Sequence, residues 1–222
     1  MHKCEHCQRE FTNERTVLKH VCEPKRRYLQ RGDQYVRLGL RAFQMFYDSM
    51  YKGIMKTHDE FDKSKFYTAF TKFGRYCLYT KVIDIESYTA WLIKHQMKLD
   101  EWSKDEVYAI WLKEYLRSEN AEHAIKRSLN HMQQWTDSKQ IPLKDYFREI
   151  HPNVFLHDIY SGRVSAWLIL NSDSGLNALG KLTDEQLAYV NSMVDPQFWT
   201  IRFKRSPGDL TFAKEVVEVA QL

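Results

Sequence analysis

The sequence has no long apolar run, few cysteines and few glycines. No stretch approaches the roughly 18 consecutive apolar residues that span a bilayer, and the first residues lack the apolar run of a secretory signal. Three of the four cysteines lie within the first 22 residues, so no disulfide framework is predicted. The eight glycines are scattered singly, which excludes a glycine-rich phosphate loop. We therefore expect a protein without a membrane partner, located in the cytoplasm, or in the host cell cytoplasm if it is viral.

The remaining composition is typical of a folded protein. The chain is 43% hydrophobic and 28% charged, proportions that exclude the disordered and fibrous classes. With 222 residues it is long enough for one sizeable domain and a small accessory module.

Positive charge is concentrated at the amino end. Residues 1–31 contain eight Lys and Arg against four Asp and Glu, whereas the rest of the chain contains 25 of each class. A basic segment beside a neutral body indicates contact with a polyanion at the N-terminal end.

The same segment contains a regular pattern of sulfur, imidazole and hydrophobic side chains, namely Cys4, Cys7, Phe11, Val17, His20 and Cys22. Twelve residues separate Cys7 from His20. The pattern resembles the zinc-finger family built on two cysteines and two histidines, in a variant whose last ligand is cysteine. The resemblance implies a small ββα finger in residues 1–23, with zinc as cofactor and with Cys4, Cys7, His20 and Cys22 as metal ligands. About twenty residues bury too little apolar surface to fold unaided, so the metal supplies folding energy.

The end of the motif departs from the family pattern. One residue separates His20 from Cys22, whereas the family leaves three to five residues between its last two ligands. Residues two apart on a helix differ by about 200° in direction, so they cannot face one ion. We therefore expect the helix to end or tighten at His20. If Cys22 does not reach the ion, His2 or His6 is the substitute ligand.

The resemblance also implies a nucleic-acid surface. The base-reading side of the finger helix would present Asn13, Arg15, Thr16 and Lys19. One finger covers only about three base pairs. Further salt-dependent phosphate contacts are expected from the basic residues after the finger, which are Lys25, Arg26, Arg27 and Arg31.

The body is predicted to be mainly α-helical. Pro24 and the three adjacent like charges after it indicate a basic linker over residues 24–33. Apolar residues recur at steps of three and four from residue 34 to 142, which predicts a helical domain. Residues 143–222 are predicted to form a mixed α/β portion packed on the helical domain. In this portion we expect a strand at 198–203 and a hairpin from 154–160 and 164–170, although the run at 164–170 is equally compatible with a helix.

These patterns support three hypotheses about function. The first is a DNA-binding accessory factor in replication or transcription, whose nucleic acid is DNA rather than RNA and whose body contacts a protein of that assembly. A lone finger on an aromatic-rich helical body resembles the accessory DNA-binding proteins of large tailed bacteriophages. The second hypothesis is an adaptor that docks a protein partner through the finger. The third is a nucleic-acid enzyme targeted by the finger, although no catalytic motif is recognisable and no catalytic residue is predicted.

Overall fold

The computed structural model describes residues 1–51, 53 and 55–222. These residues form two compact units, Met1–Tyr108 and Ala109–Leu222. The chain is mainly α-helical and begins with a small antiparallel hairpin, which confirms the predicted fold class. Among the helices of the described residues, none is both long enough and apolar enough to cross a membrane.

The first unit opens with the strands β1 (His2–Lys3) and β2 (Glu10–Phe11), in which His2 pairs with Phe11. The helices that follow are α1 (Glu14–Lys19), α2 (Glu23–Leu29), α3 (Gln34–Met50), α4 (His58–Lys63), α5 (Tyr67–Thr80) and α6 (Ile85–Lys94). The boundary between the units falls within α7 (Asp105–Ser118).

The core of the first unit is the close crossing of α3 and α5. A Cβ atom added to Gly74 would lie 2.0 Å from the Tyr35 carbonyl oxygen, and one added to Gly39 would lie 2.7 Å from the Phe70 carbonyl oxygen. The two helix backbones therefore approach more closely than any side chain permits. Trp102 packs edge-on against the Phe70 ring beside this crossing, at 5.6 Å between ring centroids.

The second unit is built from helices alone within residues 109–222, all of which the structure describes. After α7 they are α8 (Ala121–Lys139), a 3-10 turn at Leu143–Asp145, α9 (Tyr146–Glu149), α10 (Pro152–Tyr160), α11 (Ala166–Ile169), α12 (Asp173–Leu179), α13 (Asp184–Val194), α14 (Pro196–Arg205) and α15 (Pro207–Ala220). Every residue of α11 is buried. Because α8 packs on α11 and α15, the predicted boundary at residue 142 lies inside this unit.

The strands predicted in residues 143–222 are wrong. Residues 154–160 belong to α10, residues 166–169 form α11, and 198–203 lie within α14. Short apolar runs are compatible with both helices and strands, so periodicity alone does not separate the two. The helix starts decide the outcome here, because Pro196 occupies the first turn of α14 and the Asp195 carboxylate accepts the N–H of Gln197.

We predict that Gly74→Ala destabilises the protein by about 1–3 kcal/mol, because the added methyl group forces α3 and α5 apart. Gly32→Ala is the matched control, since no atom lies within 4 Å of a Cβ at that position. Urea unfolding followed by circular dichroism measures both free energies of unfolding. Equal stabilities of the two variants would contradict the close crossing.

Candidate metal centre

The hairpin turn brings the first two cysteines to one side. The Cys4 N–H donates to the Arg9 carbonyl oxygen at 3.0 Å, and the Gln8 N–H donates to the Cys4 carbonyl oxygen at 2.8 Å. Gln8 adopts a left-handed backbone with φ of 61°, which reverses the chain directly after Cys7. The turn therefore fixes where both sulfurs point.

The helix α1 positions the histidine and then ends. His20 is its C-terminal cap and has an extended backbone, with φ of −67° and ψ of 125°. This confirms the prediction that the helix ends at His20. Since the chain leaves helical geometry there, Cys22 is free to turn toward the same point, and Cys22 becomes the N-terminal cap of α2.

The four side chains converge in space. The ligand atoms of Cys4, Cys7, His20 and Cys22 all lie within 4.8 Å of one another. The Cys4 and Cys22 sulfurs are 3.9 Å apart, far beyond the disulfide bond length of about 2.05 Å. The Cys7 sulfur lies 3.3 Å from the His20 Nε2 atom. This three-cysteine, one-histidine cluster could hold a metal ion.

The pKa values of the Cys4 and Cys22 thiols are shifted in opposite directions. Hydrogen bonds from the backbone N–H groups of Cys7 and His6 lower the pKa of the Cys4 thiol, which favours the thiolate that binds metal. Burial raises the pKa of the Cys22 thiol. The Phe11 ring packs against the His20 imidazole with 4.7 Å between ring centroids. This contact restricts rotation of the imidazole.

The two alternative ligands are not part of the cluster. His2 pairs with Phe11 in the hairpin, and the His6 ring packs against Tyr28 with a centroid distance of 4.9 Å. Cys22, two residues after His20, completes the set that the described residues bring together.

The residues expected on the base-reading side of α1 fall into two groups. The Asn13 side chain caps the helix by accepting the Thr16 N–H at 2.8 Å and also accepts the Thr16 hydroxyl at 3.1 Å, so these two groups are occupied with each other. Arg15 and Lys19 are exposed and form no ion pair with the residues that the structure describes.

The basic residues after the finger do not form an open linker. Residues Glu23–Leu29 make α2, because Pro24 in the first turn needs no N–H partner and its fixed φ suits a helix. Lys25 donates to the carbonyl oxygens of Leu18 and His20, at 3.3 and 3.1 Å. Arg26 is exposed and pairs with Glu23 at 2.6 Å.

Arg27 and Arg31 attach α2 to α4. Arg27 donates to the Asp62 carbonyl oxygen at 2.5 Å, and its guanidinium lies 4.3 Å from the centroid of the buried Tyr67 ring. Arg31 donates to the Asp62 carboxylate at 2.7 Å and to that of Asp59. These two arginines, which were expected to contact phosphate, therefore hold the finger segment on the helical part of the first unit.

This attachment was not predicted from the sequence, although a signal was present. Asp59 and Asp62 are three residues apart, a spacing that places both on one face of a helix. Arg27 and Arg31 are four residues apart, and the spacing of the two pairs suggests two complementary charged groups.

A second polar cluster lies in the second unit, and it is internal. Asp158 is 1% exposed; its carboxylate accepts the Tyr146 hydroxyl at 2.7 Å and lies 3.0 Å from the His131 Nε2 atom. Burial raises the pKa of Tyr146, so the hydroxyl stays protonated and donates. The cluster joins α8, α9 and α10, and its buried carboxylate faces protein rather than solvent.

Comparisons of the chain with protein-family models, with curated proteins and with solved structures found no significant match. The geometry of its own side chains therefore defines the class of site. It is a compact sulfur and imidazole cluster, with donor types suited to a metal ion, at the amino end of a mainly α-helical protein.

We predict that thiol reagents distinguish Cys77 from the other three cysteines. Cys77 is 1% exposed and burial raises its pKa to about 12, so the reactive thiolate is scarce at the pH of the assay. In chelator-treated protein, a colorimetric thiol assay should count three fast thiols and a fourth only after denaturation. Cys77→Ala should remove that fourth thiol alone. Four fast thiols in the folded protein would contradict the burial of Cys77.

Proposed function

We propose that the cluster of Cys4, Cys7, His20 and Cys22 binds one zinc ion. A tetrahedral zinc ion bonded at about 2.3 Å to sulfur and about 2.0 Å to nitrogen separates two sulfurs by about 3.8 Å, and sulfur from nitrogen by about 3.5 Å. The Cys4–Cys22 sulfur separation of 3.9 Å and the Cys7 sulfur to His20 nitrogen separation of 3.3 Å lie within 0.2 Å of these values, and all four ligand atoms lie within 4.8 Å of one another. This agreement is the observation that carries the proposal.

The donor set also favours zinc over other ions. Thiolate and imidazole suit zinc, whereas magnesium and calcium prefer oxygen ligands. Four protein ligands fill the tetrahedron and leave no position for a substrate or for a reactive water molecule. The ion would have a structural role, in which it supplies the folding energy of the segment.

We predict one zinc ion per chain in protein purified without chelator, measured by elemental analysis and native mass spectrometry. Cys4→Ser and Cys22→Ser should lower the content to near zero, because a hydroxyl is a poor replacement for a thiolate. Cys77→Ala should retain one ion per chain. A wild-type protein without metal, or a Cys22→Ser variant with full metal content, would refute the four-ligand site.

We further propose that the zinc-bound finger contacts nucleic acid, DNA rather than RNA, through the exposed face of α1. No residue of α1 is buried, and Arg15 and Lys19 are exposed cations without an ion pair among the described residues. Arg26 is a third exposed cation, although it pairs with Glu23. Such a face suits an accessory factor of replication or transcription, the role implied by the resemblance to bacteriophage DNA-binding proteins. It is smaller than the sequence indicates, because Arg27 and Arg31 are engaged with α4.

We predict weak, salt-dependent binding to double-stranded DNA. Each phosphate contact adds about −0.9 to the slope of log K against log salt concentration, so the double variant Arg15→Ala/Lys19→Ala should lower the slope by about 2 in magnitude. Fluorescence anisotropy at increasing salt measures the slope, and RNA of the same sequence tests the preference for DNA.

The matched control is Lys94→Ala/Lys98→Ala, which removes equal charge from exposed positions outside the finger. An unchanged slope in the Arg15 and Lys19 variant, or no binding by zinc-loaded wild type at low salt, would reject the nucleic-acid proposal.

Two exposed apolar side chains favour an adaptor as the second candidate. Leu18 and Val21 are each 71% exposed, beside the cluster. Apolar groups add nothing to phosphate binding, whereas a protein partner would bury them. If Leu18→Ser/Val21→Ser abolishes capture of a protein partner while Arg15→Ala/Lys19→Ala does not, the adaptor is the better description.

A further inference from the structure

The second unit contains a cavity that none of the proposals above uses. It has a volume of about 590 Å³ and lies among α12, α13, α14 and α15. Its apolar lining includes Leu176, Leu179, Leu187, Val194, Phe203 and Leu210. Ligand sites in proteins span about 300–1,000 Å³ and are mostly apolar, so both size and lining fit a small molecule.

The walls of the cavity are fixed by packing and hydrogen bonds. The indole of Trp199, which is 2% exposed, donates to the Met193 carbonyl oxygen at 2.7 Å and packs edge-on against Trp167 at 5.6 Å. Asp195 caps the start of α14 beside these residues. The concave shape therefore exists before any ligand binds, which lowers the ordering cost of binding.

The polar groups of the lining are few, and one of them is charged. Lys214 is exposed and forms no ion pair with the residues that the structure describes. Asn171, Asn191 and Thr200 are neutral. A ligand complementary to these walls has one apolar body and a single negative end.

We propose that this cavity binds a monoanionic amphiphile, a single hydrocarbon chain that ends in a carboxylate. The chain lies against the leucine-lined wall, and the carboxylate pairs with the Lys214 ammonium group. The proposal depends neither on the metal nor on nucleic acid.

A second apolar cavity in the same unit provides an internal comparison. It has a volume of about 430 Å³, and its lining includes Phe212 and Val219. The charged residue among its lining is Glu215, which repels a carboxylate. Binding of the anion should therefore be confined to the larger cavity.

Isothermal titration calorimetry of the full chain with dodecanoate and with dodecanol, both below their aggregation concentrations, tests the proposal. Wild-type protein should bind the acid about fivefold more tightly than the alcohol, as expected for a solvent-exposed charge pair. Lys214→Met should remove this preference while retaining alcohol binding, because it keeps the apolar stem. Lys204→Met, an exposed lysine outside the lining, should leave the preference intact.

Two further variants locate the bound molecule. Leu176 is 47% exposed and Val219 is 85% exposed, so an added carboxylate is compatible with folding at both positions. Leu176→Glu should weaken dodecanoate binding at least about tenfold through repulsion and loss of apolar contact, whereas Val219→Glu should leave it unchanged. The proposal is overturned if wild type does not bind dodecanoate saturably, if acid and alcohol bind equally, or if Val219→Glu is as harmful as Leu176→Glu.

Discussion

The amino-terminal segment depends on the convergence of four side chains around one point. Neither α1 nor α2 contains a buried residue, so this part of the chain has no apolar core of its own. The hairpin and the helix meet at the cluster of Cys4, Cys7, His20 and Cys22, within which Cys4 is 3% exposed. A metal ion held at that point would replace the burial that a larger domain uses to offset chain entropy.

Cys22 links the cluster to the next helix, because this residue is also the N-terminal cap of α2. Arg27 on α2 and Arg31, two residues after the end of that helix, contact Asp62 in α4. α2 and the turn after it therefore connect the candidate metal centre to the helical part of the first unit. Residues 1–23 are attached by directional contacts of α2 and the turn after it, and Cys22 of the cluster is the N-terminal cap of that helix.

These contacts reduce the number of basic side chains at the amino end that are available to bind a polyanion. Lys25 donates to the His20 carbonyl oxygen at the C-terminal cap of α1, and Arg26 pairs with Glu23. Arg27 and Arg31 bind α4. A surplus of positive charge in a sequence does not measure the charge available to a phosphate backbone. The available cations are those without an internal partner, and in α1 these are Arg15 and Lys19, which form no ion pair within the part of the chain that the structure describes.

The sequence by itself determined which four side chains form the cluster, the end of the first helix and the mainly α-helical class. These features follow from spacings within short segments. Cys4 and Cys7 share one turn, and the two-residue step from His20 to Cys22 excludes a continuous helix. Apolar residues at steps of three and four define the helical faces. Only the tertiary structure decided that residues 154–160 and 198–203 are helical, that α2 packs on α4, and that a cavity lies beside Trp199. The short apolar runs at 154–160 and 198–203 are compatible in pattern with both helix and strand, whereas the partner of an arginine and the walls of a cavity are set by residues distant in sequence.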